Sequence, residues 1–79
     1  LNEFFEGQWE RIVRGEMRER GLREEDRLSA PKLAGWKIEI SRRLRKETRA
    51  SNGWIARRLN MGHPSNVSKY LKRDPKSKG

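Results

Sequence analysis

Apolar side chains recur along this chain at helical spacing. Phe5, Trp9, Ile12, Val13 and Met17 mark one stripe of an amphipathic helix over residues 3–20, while Glu6, Glu10, Arg14 and Arg18 lie off it. Gly21 ends that helix, and Leu22 folds back in the hydrophobic contact that accompanies such a cap. Gly7 and Gly15 weaken the helix by about 1 kcal/mol each relative to Ala, which allows a start as late as Gln8. The stripe reads as core. Residues 22–29 form one helical turn or a loop, anchored by Leu22 and Leu28, with their charges on solvated surface. Ser29-Ala30-Pro31 opens the next helix, expected over residues 32–47. Leu33, Trp36, Ile40 and Leu44 share one face of it. Ala34 and Ile38 lie on another side, so this helix belongs between neighbours.

Residues 51–73 read as two short helices broken by a turn. Ser51 caps a helix carrying Trp54, Ile55, Ala56 and Leu59. Asn60-Met61-Gly62 ends it, with the glycine taking the left-handed conformation. Pro64 suits the first turn of the following helix, where its missing N–H is no loss. Val67 and Leu71 face inward with Tyr70 beside them. Ser65, Asn66, Ser68, Lys69, Lys72 and Arg73 face outward. Ala56 gives the small residue where the helices cross, and Leu59, Val67 and Leu71 form the clasp. Leu59 and Val67 are eight residues apart, one more than in the tightest repressor-type unit. The pattern predicts an all-α fold, a small bundle of four to five helices containing a helix-turn-helix. Residues 1–73 form a single domain, and residues 74–79 a disordered basic tail after Pro75.

Composition bounds the rest. A chain of 79 residues is one small domain that buries about 60% of its unfolded surface, helped by three Trp and two Phe. Without cysteine there is neither disulfide nor thiolate site, which suits a cytoplasmic protein. One His builds no zinc site. No apolar run approaches a membrane span of roughly 20 residues. The chain opens on Leu1 rather than Met, which points to a piece of a longer protein.

Charge sharpens the picture. The total is +9, but residues 1–29 hold six Arg and eight acids, net −2, whereas residues 30–79 hold fourteen Lys/Arg and three acids, net +11. Solubility alone explains a net charge but not its confinement to the half with the helix-turn-helix. Double-stranded DNA is the partner this favours. Entering a major groove N-terminus first, the second helix brings Ser65, Asn66 and Lys69 to base edges, with His63 bordering the same end. Ser51 and Asn52 suit a phosphate at their helix end. Arg57, Arg58, Lys72 and Arg73 flank the unit at the backbone. Arg42, Arg43, Arg45, Lys46 and Arg49 make the preceding helix end basic. Such cations gain about 0.3–1 kcal/mol each from the helix dipole, but five exceed that need.

Each residue has a purely structural alternative. Ser65 and Asn66 satisfy first-turn N–H groups of their own helix. Lys72 and Arg73 serve its C-terminal dipole. His63 acts as a cap or turn residue. Tyr70 packs; as a nucleophile for strand transfer it would need a metal site, and the inventory offers neither two His nor a carboxylate cluster. No catalytic residue, metal or cofactor is therefore expected, and the chain reads as a non-enzyme.

Residues 8–73 resemble the C-terminal extension of REP-associated tyrosine transposase-like proteins. The resemblance rests on Glu10-Arg11-Ile12-Val13, Arg20-Gly21-Leu22, Leu44-Arg45-Lys46-Glu47-Thr48, Trp54-Ile55-Ala56-Arg57-Arg58-Leu59-Asn60-Met61-Gly62 and Ser65-Asn66-Val67-Ser68. The metal motif and catalytic Tyr of that family's transposase domain have no counterpart here. The resemblance implies an appended bacterial module that recognises element-end or repeat DNA beside a nuclease domain. The unit is also similar to the DNA-binding domain of the replication initiator DnaA. In that family an Asp-His-Thr-Thr run opens the recognition helix; here Gly62-His63-Pro64-Ser65 stands in its place. The likeness implies the same docking mode, with Arg45, Lys46 and Arg49 near a groove or the backbone. A cytoplasmic, nucleoid-associated location is expected. The competing expectation is a protein-interaction module, a homodimer among its forms, anchored by the aromatic N-terminal helix and an exposed Trp54.

Overall fold

The computed structural model describes residues 2–72, with side chains for residues 6–71. Five helices follow one another: α1 (Asn2–Glu19), α2 (Asp26–Ser29), α3 (Gly35–Glu47), α4 (Asn52–Arg58) and α5 (Pro64–Lys72). The fold is all-α, a small helical bundle with no strand among the described residues. None of the described helices is long and apolar enough to cross a membrane. Arg73, the tail from Asp74 and the side chains of Phe5 and Lys72 lie outside the described residues.

α3 contacts both α1 and α5, and α5 also packs on α4. The core at these contacts is Val13 and Met17 of α1, Ile40 and Leu44 of α3, Ala50, Ile55, Ala56 and Leu59 around α4, and Met61 and Val67. Trp9, Trp36, Trp54 and Leu71 close it from the sides. The edge-to-face pair of Trp9 and Trp54, with centroids 5.3 Å apart, ties α1 to α4. Trp54, expected to be exposed, is half-buried against this partner.

α1 runs through both glycines, and Val13 and Met17, one turn apart on either side of Gly15, are buried together. It ends as its sequence predicts. Gly21 adopts φ +71°, its N–H donates to Arg18 O, and Leu22 N–H reaches Met17 O at 2.8 Å, the paired bonds of a Schellman cap. The helix expected from residue 32 starts at Gly35 instead. Pro31 accepts from Ala34 N–H in a turn, so Pro31-Lys32 bridges α2 and α3 rather than opening the helix.

That turn is held by a buried lysine. Lys37 is fully buried, and its Nζ donates to Arg27 O at 2.7 Å, Asn60 O at 3.2 Å and Ala30 O at 3.4 Å. Burial pushes its pKa down, and the charge of Arg27 adds to the effect. Asn60 Nδ2 also donates to Arg27 O. α2 and the turn after α4 are thus both tied to α3.

α4 begins as expected, with Ser51 Oγ accepting from Trp54 N–H at 3.1 Å. It ends differently. Asn60, at φ 55°, takes the left-handed position assigned to Gly62, and Met61 N–H closes on Ala56 O at 2.8 Å. Asn tolerates this conformation, and Met61 is thereby turned fully into the core. Gly62 lies beyond the cap at φ +85°, and a Cβ there would stand 3.1 Å from Asn66 Nδ2 and 3.3 Å from Lys32 Cδ.

Candidate nucleic-acid interface

The start of α5 is shaped by three side chains. Ser65 N–H donates to His63 Nδ1 at 3.0 Å, and Ser65 Oγ lies 3.0 Å from the same nitrogen. His63 therefore caps the helix, and an acceptor role at Nδ1 puts the neutral ring's proton on Nε2. Asn66 Nδ2 donates to Met61 O at 2.9 Å. This bond fixes the plane of the amide while leaving Oδ1 and a second hydrogen for other partners. Ser65, Lys69 and His63 are exposed and Asn66 is half-buried. Three of the four expected base readers, His63, Ser65 and Asn66, thus shape the start of α5 and the turn beside it, and Lys69 lies further along the same helix.

Lys32 joins them. Its stem runs beside Gly62 and Asn66, within reach of the same missing Cβ, and the residue is exposed. Sequence reasoning placed it inside a helix and so missed it. Only the turn at Pro31, anchored through Lys37, carries it to the start of α5.

The expected phosphate contacts divide into two groups. Arg45, Lys46, Arg49, Ser51 and Arg57 are exposed. Thr48 bends the chain between α3 and α4, its Oγ1 donating to Leu44 O at 2.6 Å and accepting from Ala50 N–H. Arg45 and Ser51 flank that bend, with Arg45 Nη1 3.5 Å from Ala50 O. Asn52 is half-buried.

Arg58 stands apart from these. Its Nε and Nη2 grip Glu10 at 2.6 and 2.8 Å, and Nη2 also meets Glu24 at 2.7 Å. The hydrogen bond to Glu10, ahead of that to Glu24, drives its pKa up. A guanidinium so occupied serves the contact between α1 and α4. Arg43 is likewise spent on Glu16 and Glu47. Both arginines meet acids of α1, which a reading of charge by halves kept apart.

These pairs shape the field. Glu39 pairs with Arg20 and Glu47 with Arg43, so the described acids after residue 30 are both neutralised. Lys32, Arg45, Lys46, Arg49, Arg57 and Lys69 form no ion pair among the described residues. No group of three or more potential metal ligands occurs among the described residues. The chain matches no known protein family, no curated protein and no solved structure.

Proposed function

We propose that this chain is a sequence-preferring binder of double-stranded DNA, with α4 and α5 acting as a helix-turn-helix. One observation carries the reading: exposed cations without an ion pair among the described residues flank the α4–turn–α5 unit, while its neighbouring acids are consumed in ion pairs. In this reading α5 enters the major groove by its N-terminus. Ser65, Asn66, Lys69 and His63 face base edges, whereas Arg45, Lys46, Arg49, Ser51, Asn52 and Arg57 hold phosphates. The resemblance of residues 8–73 to the extension of transposase-like proteins favours an appended, non-catalytic role beside a nuclease domain, in the bacterial cytoplasm at the nucleoid.

The test is anisotropy of a labelled duplex across a salt series, joined to selection from a random duplex pool. With about 5–6 phosphates neutralised, log K should fall against log salt with a slope of roughly −5. Selection should enrich one motif. Undetectable duplex binding at low salt, or salt-independent affinity, would sink the proposal.

A further inference from the structure

A groove runs between α1 and α4, with Trp9 and Trp54 in its lining and Ser51 among its edges. Arg18 of α1 and Arg57 of α4 line it from the two helices. Both are exposed and neither forms an ion pair among the described residues. Most acids of the groove are spent. Glu10 is held by Arg14 and Arg58, and Glu24 by Arg27 and Arg58. Glu6 lies twelve residues from Arg18, about 18 Å along the helix.

We infer that this groove is a second strip of the DNA interface, in which Arg18 and Arg57 hold the phosphodiester backbone flanking the segment that α5 reads. The inference rests on the DNA-binding reading and extends it to α1. Continuity favours a nucleic-acid strand over an acidic peptide. Ser51 and Arg57 belong both to the groove and to the edge of the α4–α5 unit, so a backbone passing the start of α4 runs on into it. Charge by halves hides this, because Arg18 sits in the net-acidic half of the chain. Folding ties up Glu10 and Glu24 and leaves the Arg18 guanidinium without an ion pair among the described residues.

The test compares wild type, Arg18→Ala, Arg18→Glu, Lys69→Ala and Arg11→Ala on two duplexes, one trimmed to the selected motif and one extended on both sides. Arg11 is the control, since it is exposed on α1 and lines a different depression, beside Arg43 and Glu47. Melting curves verify that each variant is folded. On the extended duplex Arg18→Ala should lower affinity several-fold and reduce the salt slope by about 0.9, with Arg18→Glu weaker still. On the trimmed duplex both should approach wild type, and Arg11→Ala should match wild type on each. If Arg18→Ala equals Arg11→Ala on the extended duplex while Lys69→Ala still weakens binding, this inference alone falls. If wild type binds neither duplex, the DNA reading falls with it. A polyglutamate peptide that binds wild type but not Arg18→Ala, with DNA affinity unaffected by Arg18, would assign the groove to acidic peptides instead.

Discussion

The ammonium of Lys37 donates to the carbonyl of Asn60 across 3.2 Å, joining the first turn of α3 to the residue that ends α4. The same nitrogen binds Arg27 O and Ala30 O, so one buried cation sets where α2, the Pro31-Lys32 turn and the α4–α5 turn stand. The cost of burying the charge is visible in its lowered pKa, and the three carbonyls offset it. Lys37→Met keeps the stem but leaves those acceptors unsatisfied. The expected loss is about 2–4 kcal/mol, read as a lower urea midpoint with an unchanged slope. A Met variant as stable as wild type would show that the carbonyls find other partners.

Gly62 meets two demands at once, a left-handed backbone and contact with Lys32 and Asn66. Gly62→Ala should therefore destabilise by about 1–2 kcal/mol from the backbone alone. It should also displace the two side chains beside the start of α5, so that DNA affinity falls even where melting shows the protein fully folded. Asn60→Gly separates the effects. It relieves the left-handed conformation but loses the bond from Asn60 Nδ2 to Arg27 O, and the start of α5 stays intact. Its DNA affinity should equal wild type, measured by anisotropy at one salt concentration.

How much of this was legible in the sequence depends on what each residue answers to. Local rules found the cap at Ser51, the Schellman turn at Gly21 and the proline opening α5, because caps depend on neighbours in the chain. Periodicity found the inward faces of α1 and α3. The misses are all tertiary. Lys37 carries no local mark of burial; its partners lie seven, ten and twenty-three residues away in the chain. Asn60 and Gly62 are both able to take positive φ, and only burial of Met61 decides which one ends α4. Arg58 looked like surface charge until α1 brought Glu10 to it across forty-eight residues. Lys32 followed the misplaced start of α3.

Acid should weaken the fold through α1. Glu16 bonds Arg20 and Arg43, and Glu10 bonds Arg58. Hydrogen bonds from these arginines hold both carboxyls below the usual range, Glu16 chiefly through Arg20 and Glu10 chiefly through Arg58, against desolvation. Glu24 is lowered in the same way, first by Arg58. A folded-state pKa below the unfolded value contributes stability that is present above the ordinary carboxylate range. That contribution is lost as pH falls through the lower folded values. Urea midpoints should therefore drop on going from about pH 6 to about pH 3. In Glu16→Gln the drop should be smaller and begin from a lower plateau. An identical pH profile in that variant would remove Glu16 from the account.

Asn66 and Lys69 separate structure from recognition on a single helix. Asn66 braces its own turn through Met61 O, so Asn66→Ala should cost about 1 kcal/mol of stability, as for a lost cap. The same bond sets the amide plane in advance, which lets the remaining edge accept and donate to an adenine without first paying for its orientation. Asn66→Ala should then also change the selected DNA motif. Lys69 is exposed and holds no ion pair among the described residues. Lys69→Ala should leave the melting temperature within error while lowering affinity, and a base reader would shift the motif whereas a phosphate contact would only flatten the salt slope by about 1. Selection with both variants beside wild type distinguishes these outcomes. An Asn66→Ala protein that melts early yet enriches the wild-type motif would confine Asn66 to bracing, and base preference would pass to Ser65, Lys69 and His63.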